Sequence, residues 1–252
     1  MADDPTEGRV FYLQEKDMDL VDIHCHILPM VDDGPGSVEE AIRVLMEMRK
    51  QGVRHAIVTP HFRKEMFEPS MRRVLYSYKK MKEIAGGMGI TLRLGCEYYR
   101  DEQIVEDFNH KRRPTMAGSR YVLVEFSTND LFSVVRNYIY ELTAKGYRPV
   151  VAHVERYFCC QDLENVQELK DLGALIQVNA GSVLGEDGRK IQKFCQELMN
   201  RNLVDFIGSD THNTTSRKLN LEKCASYVTK KMGKAYARRI FYENPLRIWK
   251  NR

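Results

Sequence analysis

The sequence predicts an α/β protein whose parallel strands curl into a closed or nearly closed barrel with helices outside. Three observations lead there. Short apolar runs alternate with segments of helical period seven times along the 252 residues, which is the pattern of repeated strand–helix units. Nearly every run ends on a histidine or a carboxylate, as expected if strand ends converge on one mouth. No glycine-rich dinucleotide fingerprint follows the first run, which removes the main argument for a doubly wound open sheet.

Residues 1–18 are acidic and polar and read as an N-terminal extension. They lack the basic start and apolar core of a signal peptide. Residues 19–252 read as one domain, since no linker or composition shift divides them. The first strand, near 19–26, carries Leu20, Val21 and Ile23 and then His24 and His26, two apart and so on one face. After the loop Asp32-Asp33-Gly34-Pro35-Gly36, Ser37 caps a helix with Glu40 completing the capping box. Ala41, Val44, Leu45 and Met48 form the apolar face of that helix, and Gly52 ends it. The second strand, 55–61, ends on His61.

A helix over 69–85 should turn Leu75, Tyr78 and Met81 inward and stop at Gly86-Gly87. The third strand, 91–97, ends on Glu97. A looser stretch, 98–120, holds a short helix and Pro114 before the strand Tyr121–Glu125. A helix over 131–145 leads to the strand 149–153, which ends on His153. A helix over 162–172 leads to 174–179, which ends on Asn179. A helix over 187–201 leads to 204–210, which ends on Asp210 with His212 just beyond. Two helices, 216–231 and 234–241, close the chain.

Composition excludes several classes. Hydrophobic residues make up 43% and charged residues 29%, as in an ordinary globular protein. The net charge of +4 with no long Lys/Arg run argues against a nucleic-acid partner, and Lys111-Arg112-Arg113 reads as a solvated loop. No apolar stretch reaches the roughly 18 residues of a membrane span, so no membrane insertion is expected and a cytoplasmic location is. The six cysteines form no C-x-x-C pair and read as small apolar fillers in a reducing compartment.

The strand ends together carry His24, His26, His61, Glu97, Glu125, His153, Asp210 and His212, with Asp33 in the first loop. Ionised carboxylates at the ends of buried strands need a compensating charge, and metal ions supply it. Nine candidate ligands exceed what one ion takes but suit two or three with bridging carboxylates and water. Three divalent ions against four carboxylates would leave a net positive site suited to a phosphate dianion. Arg156, three residues after His153, could grip phosphate oxygens with its guanidinium fork or pair with Glu155 or Asp162. Tyr98 and Tyr99 could line a rim for an aromatic substrate or pack in the core. Asn179 could be a site residue or a structural amide.

Several motifs combine here: Asp22-x-His24-x-His26 with Asp33-Gly34, Thr59-Pro60-His61, Gly95-x-Glu97, Glu125, Ala152-His153-x-x-Arg156 and Ser209-Asp210-x-His212. Together they resemble the PHP (polymerase and histidinol phosphatase) superfamily, and within it the bacterial protein-tyrosine phosphatases encoded with capsule and exopolysaccharide genes. Asn179-Ala180-Gly181-Ser182 and Glu243-Asn244-Pro245 also resemble it, so the likeness runs from about residue 19 to Pro245. It implies a distorted (β/α)₇ barrel with a trinuclear site, usually of manganese, with iron, zinc, cobalt and magnesium as the other candidate ions. It implies that His24, His26, Asp33, His61, Glu97, Glu125, His153, Asp210 and His212 are the metal ligands and that Arg156 binds phosphate. The implied substrate is phosphotyrosine in the tail of a cognate bacterial tyrosine kinase, with a metal-bound hydroxide attacking phosphorus. Asp33 or a nearby histidine such as His212 would protonate the leaving group.

Two other readings share these residues. One is a small-molecule phosphatase of the histidinol phosphate type or a phosphodiesterase, which would use a similar site. The other is a non-catalytic, metal-stabilised module, against which the complete ligand set argues. Cys195 and Arg201 match the bare Cys-x₅-Arg spacing of cysteine-dependent phosphatases. The residues between them continue a helix and offer no phosphate cradle, so the match reads as coincidence.

Overall fold

The computed structural model describes residues 18–250; the expected N-terminal extension, apart from Met18, lies outside the described residues. The strands are β1 (Leu20–Cys25), β2 (Val53–Val58), β3 (His61–Phe62), β4 (Thr91–Leu94), β5 (Glu97–Tyr99), β6 (Tyr121–Glu125), β7 (Arg148–Val151), β8 (Leu175–Asn179) and β9 (Phe206–Gly208). They pair in parallel as β1-β2-β4 and β3-β5-β6-β7-β8-β9.

β3 continues β2 across Thr59-Pro60, and β5 continues β4 across Gly95-Cys96. The expected second and third strands are therefore each broken once, near the mouth. Pro60 has no N–H to give a ladder, and Gly95 is packed so closely that a Cβ there would stand 3.0 Å from Ile57 Cγ2. Hydrogen bonds bridge the breaks, from Gly95 N–H to Val58 O (2.8 Å) and from Glu97 N–H to Pro60 O (3.1 Å). The ring closes between first and last strands, where Asp210 N–H donates to His24 O (2.9 Å), His26 N–H donates to Thr211 O (2.8 Å) and Cys25 bridges Thr211. The result is seven strand positions in chain order around a distorted (β/α)₇ barrel.

Helices cover the outside: α1 (Val38–Lys50), α2 (Met71–Gly87), α3 (Ile104–Asn109), α4 (Phe132–Ala144), α5 (Leu163–Asp171), α6 (Ala180–Leu184), α7 (Arg189–Asn200), α8 (Leu221–Met232), α9 (Lys234–Arg238) and α10 (Asn244–Trp249). α1 starts as its sequence says, with Ser37 Oγ accepting from Glu40 N–H (3.1 Å). The return bond of the box lands one residue early, from Gly36 N–H to Glu40 Oε2 (2.9 Å). In α2 the inward face is Val74, Ser77, Met81 and Ala85, so the expectation for Leu75 is corrected: its side chain is exposed. Ser77 takes the inward place because its hydroxyl donates to Pro29 O (3.4 Å). The Gly86-Gly87 pair forms the last two residues of α2, with Met88 as the C-cap. The chain also runs past 241 into α10, whose Ile248 and Trp249 enter the lower end of the barrel.

Two apolar clusters result. One fills the space between strands and outer helices. The other is a plug within the barrel, made of Ile23, Ile57, Leu123, Val150 and Phe206 closed from below by Trp249. Among the described residues no helix is long and apolar enough to cross a membrane.

Candidate metal centre

β1 delivers its two histidines by way of a β-bulge. Asp22 sits opposite Ala56 and Cys25 opposite Val58, so β1 takes three steps where β2 takes two. The extra residue lets Ile23 reach the plug while His24 and His26 still enter the mouth. Gly208 on β9 lies against His24, and a Cβ there would stand 2.9 Å from His24 Cβ. His153 (φ 31°) and Asp210 (φ 53°) both adopt left-handed backbone, which costs a non-glycine residue energy and is often found at functional sites.

Glu97 is the hub. Its Oε2 lies 3.1 Å from His24 Nε2, 3.2 Å from His26 Nε2 and 3.1 Å from His61 Nδ1, while Oε1 lies 3.0 Å from His153 Nε2. Asp210 Oδ1 is 3.5 Å from His24 Nε2 and 3.6 Å from His212 Nδ1. Glu125 approaches His61 Nδ1 and His153 Nε2, each at 3.7 Å. Asp33 Oδ1 lies 3.2 Å from His212 Nε2 and 3.6 Å from His61 Nε2. All nine expected ligands therefore surround one volume, with His24, His26 and Glu97 wholly buried. Within it, three overlapping sets of donors lie close enough to share an ion: His26, Asp33, His61 and His212; His24, His26 and Glu97; His61, Glu97 and Glu125.

The hydrogen bonds fit metal ions in those sets. His26 Nδ1 meets Asp32 Oδ2 (2.8 Å), His24 Nδ1 meets Gln177 Oε1 (3.0 Å) and His212 Nδ1 meets Asp210 O (2.9 Å). Each acceptor calls for a proton on Nδ1, which leaves an Nε2 lone pair facing the cluster. Two such nitrogens, on His24 and His26, stand only 3.2 Å apart, an arrangement that needs a cation or a proton near both. Glu97 Oε2 and His212 Nε2 are buried and have no hydrogen-bond partner of acceptable geometry.

The charge balance says the same. Burial opposes a charged His26, yet the Asp32 hydrogen bond and the adjoining Asp32 and Glu97 carboxylates outweigh it and lift its pKa to about 10. Burial and the neighbouring Glu97 charge push Glu125 up to about 7. Burial also works to raise Asp210, but His24, Arg217 and Arg156 hold it well below the carboxylate range. The cluster demands positive charge.

An open cavity of about 360 Å³ lies above the cluster. Arg156 and Arg217 both line it. Arg156 Nη1 pairs with Asp210 Oδ2 (3.2 Å), so neither Glu155 nor Asp162 is its partner. Arg217 spans the site, with Nη1 3.1 Å from Asp33 Oδ2 and Nη2 2.9 Å from Asp210 Oδ1. Sequence reasoning missed Arg217, whose only signal is its place five residues after His212. It also missed Asp32 and Gln177. Gln177 Oε1 accepts from both His24 and His153 N–H (2.9 Å), and its Nε2 donates to Asn179 Oδ1 (2.8 Å). Asn179 Nδ2 then donates to Asp210 Oδ2 (2.8 Å), which makes Asn179 a supporting amide.

Tyr98 does not line the rim. It is fully buried against Phe62 and Phe108, with its hydroxyl donating to Pro114 O (2.7 Å). On β5 its side chain alternates to the face opposite Glu97 and so enters the outer core. Tyr99 is half-buried with the Arg63 guanidinium 4.1 Å over its ring, outside the cavity lining. Cys195 is buried in α7, and burial pushes its thiol up, so it offers no thiolate. Arg201 faces Glu164 at 3.9 Å.

Comparison with known proteins gives a family and relatives. The capsular polysaccharide synthesis CpsB/CapC family matches residues 20–250. The chain is 34% identical over 237 residues to the tyrosine-protein phosphatase CpsB of Streptococcus pneumoniae, covering 91% of this chain and 98% of that protein. It is 35% identical over 207 residues to the putative tyrosine-protein phosphatase CapC of Staphylococcus aureus, covering 81% of each. Its fold is similar, with a TM-score of 0.86 and 27% identity, to a chain from a study of YwqE from Bacillus subtilis and CpsB from Streptococcus pneumoniae, described there as unique metal-dependent tyrosine phosphatases. That likeness covers 92% of this chain and 95% of that one.

Proposed function

The chain belongs to the capsular polysaccharide synthesis CpsB/CapC family, and from that premise we propose that it is a metal-dependent protein-tyrosine phosphatase working at the barrel mouth. The observation that carries the reading is the junction of a buried, cation-demanding cluster with a cavity lined by two arginines. Its ligands are His24, His26, Asp33, His61, Glu97, Glu125, His153, Asp210 and His212, holding up to three ions, with manganese the favoured metal. Its substrate is a phosphotyrosine protein, specifically the tail of a cognate tyrosine kinase in the cytoplasm.

Divalent ions in such a site lower the pKa of coordinated water and offset charge on a transferring phosphoryl group. The chain's own residues bind and orient. Arg156 and Arg217 offer guanidinium forks to phosphate oxygens while their other contacts, Asp210 and Asp33, fix them in place. Although burial opposes it, His212 facing its carboxylate holds Asp33 below the ordinary carboxylate range. An ionised Asp33 suits a metal ligand, and Asp33 or His212 is the group placed to protonate the tyrosyl leaving oxygen. His212 is bonded to Asp210 O and faces Asp33, so it too serves as a ligand. A tyrosyl oxygen, with a phenol pKa of about 10, leaves with little need for a proton.

The test is hydrolysis of a phosphotyrosine peptide by metal-stripped protein titrated with manganese. Turnover should return with manganese, fall about 10²-fold or more in Arg156→Ala and persist in Cys195→Ser. Loss in Cys195→Ser with an intact fold would instead mean cysteine chemistry.

A further inference from the structure

Most of the cavity wall is charged or imidazole. Phe67 is the one hydrocarbon ring among its lining residues. The ring stands 5.2 Å from that of His61 and 13° from parallel. It is carried on a short hairpin: Arg63 N–H donates to Phe67 O (2.9 Å) and Phe67 N–H to Arg63 O (2.8 Å). The hairpin turns through Glu65 at φ 64°, whose N–H donates to Glu68 Oε1 (2.6 Å). Its outer side is fastened by Lys64 Nζ to Asp101 Oδ1 (2.9 Å) and by Arg63 over Tyr99. A loop braced in this way holds its side chain ready, so little ordering is left for the moment of binding.

We propose that Phe67 sets the preference of this site for aryl over alkyl phosphate esters. This rests on the phosphatase reading above and specifies which esters that site takes. With the phosphate between Arg156 and Arg217, the substrate's phenol ring lies against the part of Phe67 that His61 leaves uncovered. Two rings so placed gain from buried area and from their quadrupoles; an aliphatic phosphoester offers no ring to the wall. The aromatic contact expected of Tyr98 and Tyr99 thus comes from another strand end.

A purely shielding role, with Phe67 keeping water from His61, would weaken all ligands alike. Binding of two non-hydrolysable ligands separates the roles without leaving-group effects. In the manganese-loaded full chain, calorimetry would compare phenylphosphonate with ethylphosphonate in wild type, Phe67→Ala and Phe67→Leu. Phe67→Ala should weaken phenylphosphonate about tenfold and ethylphosphonate less than about twofold, with Phe67→Leu between. KM for a phosphotyrosine peptide should rise in parallel while kcat holds within about threefold. Equal weakening of both phosphonates, or of neither, overturns the assignment. If wild type turns over no phosphotyrosine peptide while the phosphonate selectivity still depends on Phe67, the phosphatase reading fails and the aryl assignment stands.

Discussion

At the lower end of the barrel Ile23, Leu123, Val150 and Phe206 meet side by side over Trp249. One to four residues further along the chain, at or just past the ends of the same strands, stand His24, Glu125, His153 and Asp210. Both ends are buried, but they are buried for different reasons. The lower end leaves water because apolar surface does so spontaneously. The upper end is kept from water by its surroundings, and its carboxylates and imidazoles stay buried only with bonds from Asp32, Gln177 and Asn179 and with compensating cations. The comparison teaches that in this barrel stability and activity are set at opposite ends of the same strands.

Crossed substitutions should break that division if it is wrong. Glu97→Gln should lower manganese-dependent turnover about 10³-fold or more. In metal-stripped protein it should shift the melting temperature less than Leu123→Ala does. Leu123→Ala should cost about 3 kcal/mol of stability while the folded protein keeps kcat within about twofold. Thermal melts and turnover on both variants check the pair; a Leu123→Ala protein with normal melting and lost turnover would dissolve the distinction.

Gln177→Ala sharpens it, since Gln177 acts on the ligands from behind. Manganese affinity should weaken about 10- to 100-fold, and turnover at saturating metal should recover to within a few-fold of wild type. Unchanged affinity with lowered kcat would move Gln177 into the chemistry. The smallest effect belongs to the lower end. His55 sits 4.8 Å from the Trp249 ring, and burial lowers its pKa, so the folded state binds its proton less readily than the unfolded chain. Its contribution to stability is complete above the unfolded value of about 6.5 and is lost as pH falls through the lower folded value. Melting temperature should therefore decline more steeply from pH 7 to pH 5 in wild type than in His55→Gln. Parallel curves would remove His55 as the cause.

The strands and the cluster of nine candidate ligands were legible because a polar residue that ends an apolar run has few structural excuses. What escaped the sequence was finer. Asp32 and Asp33 are adjacent acids, and only the fold sends one behind His26 and the other over the cavity. Gln177 did leave a trace, a polar side chain inside the buried run of β8, but nothing local says that it faces two histidines. Arg217 and Phe67 lie in loops, where no period fixes direction. Tyr98 was misdirected because adjacency to Glu97 in a strand means the opposite face. Leu75 lost its inward place to Ser77, since a hydroxyl with a carbonyl to bond can occupy a helix's inner face.

The seam between β1 and the segment after β9 joins His24 and His26 to Asp210 and Thr211 across about three-quarters of the chain. The first ligands made during synthesis thus wait for almost the last. A chain cut just after β8 keeps seven of the nine proposed ligands and lacks the strand that closes the ring. A copy that stops before the segment after β9 should therefore be inactive. The seam works as a completion check, written into the order in which the strands are made.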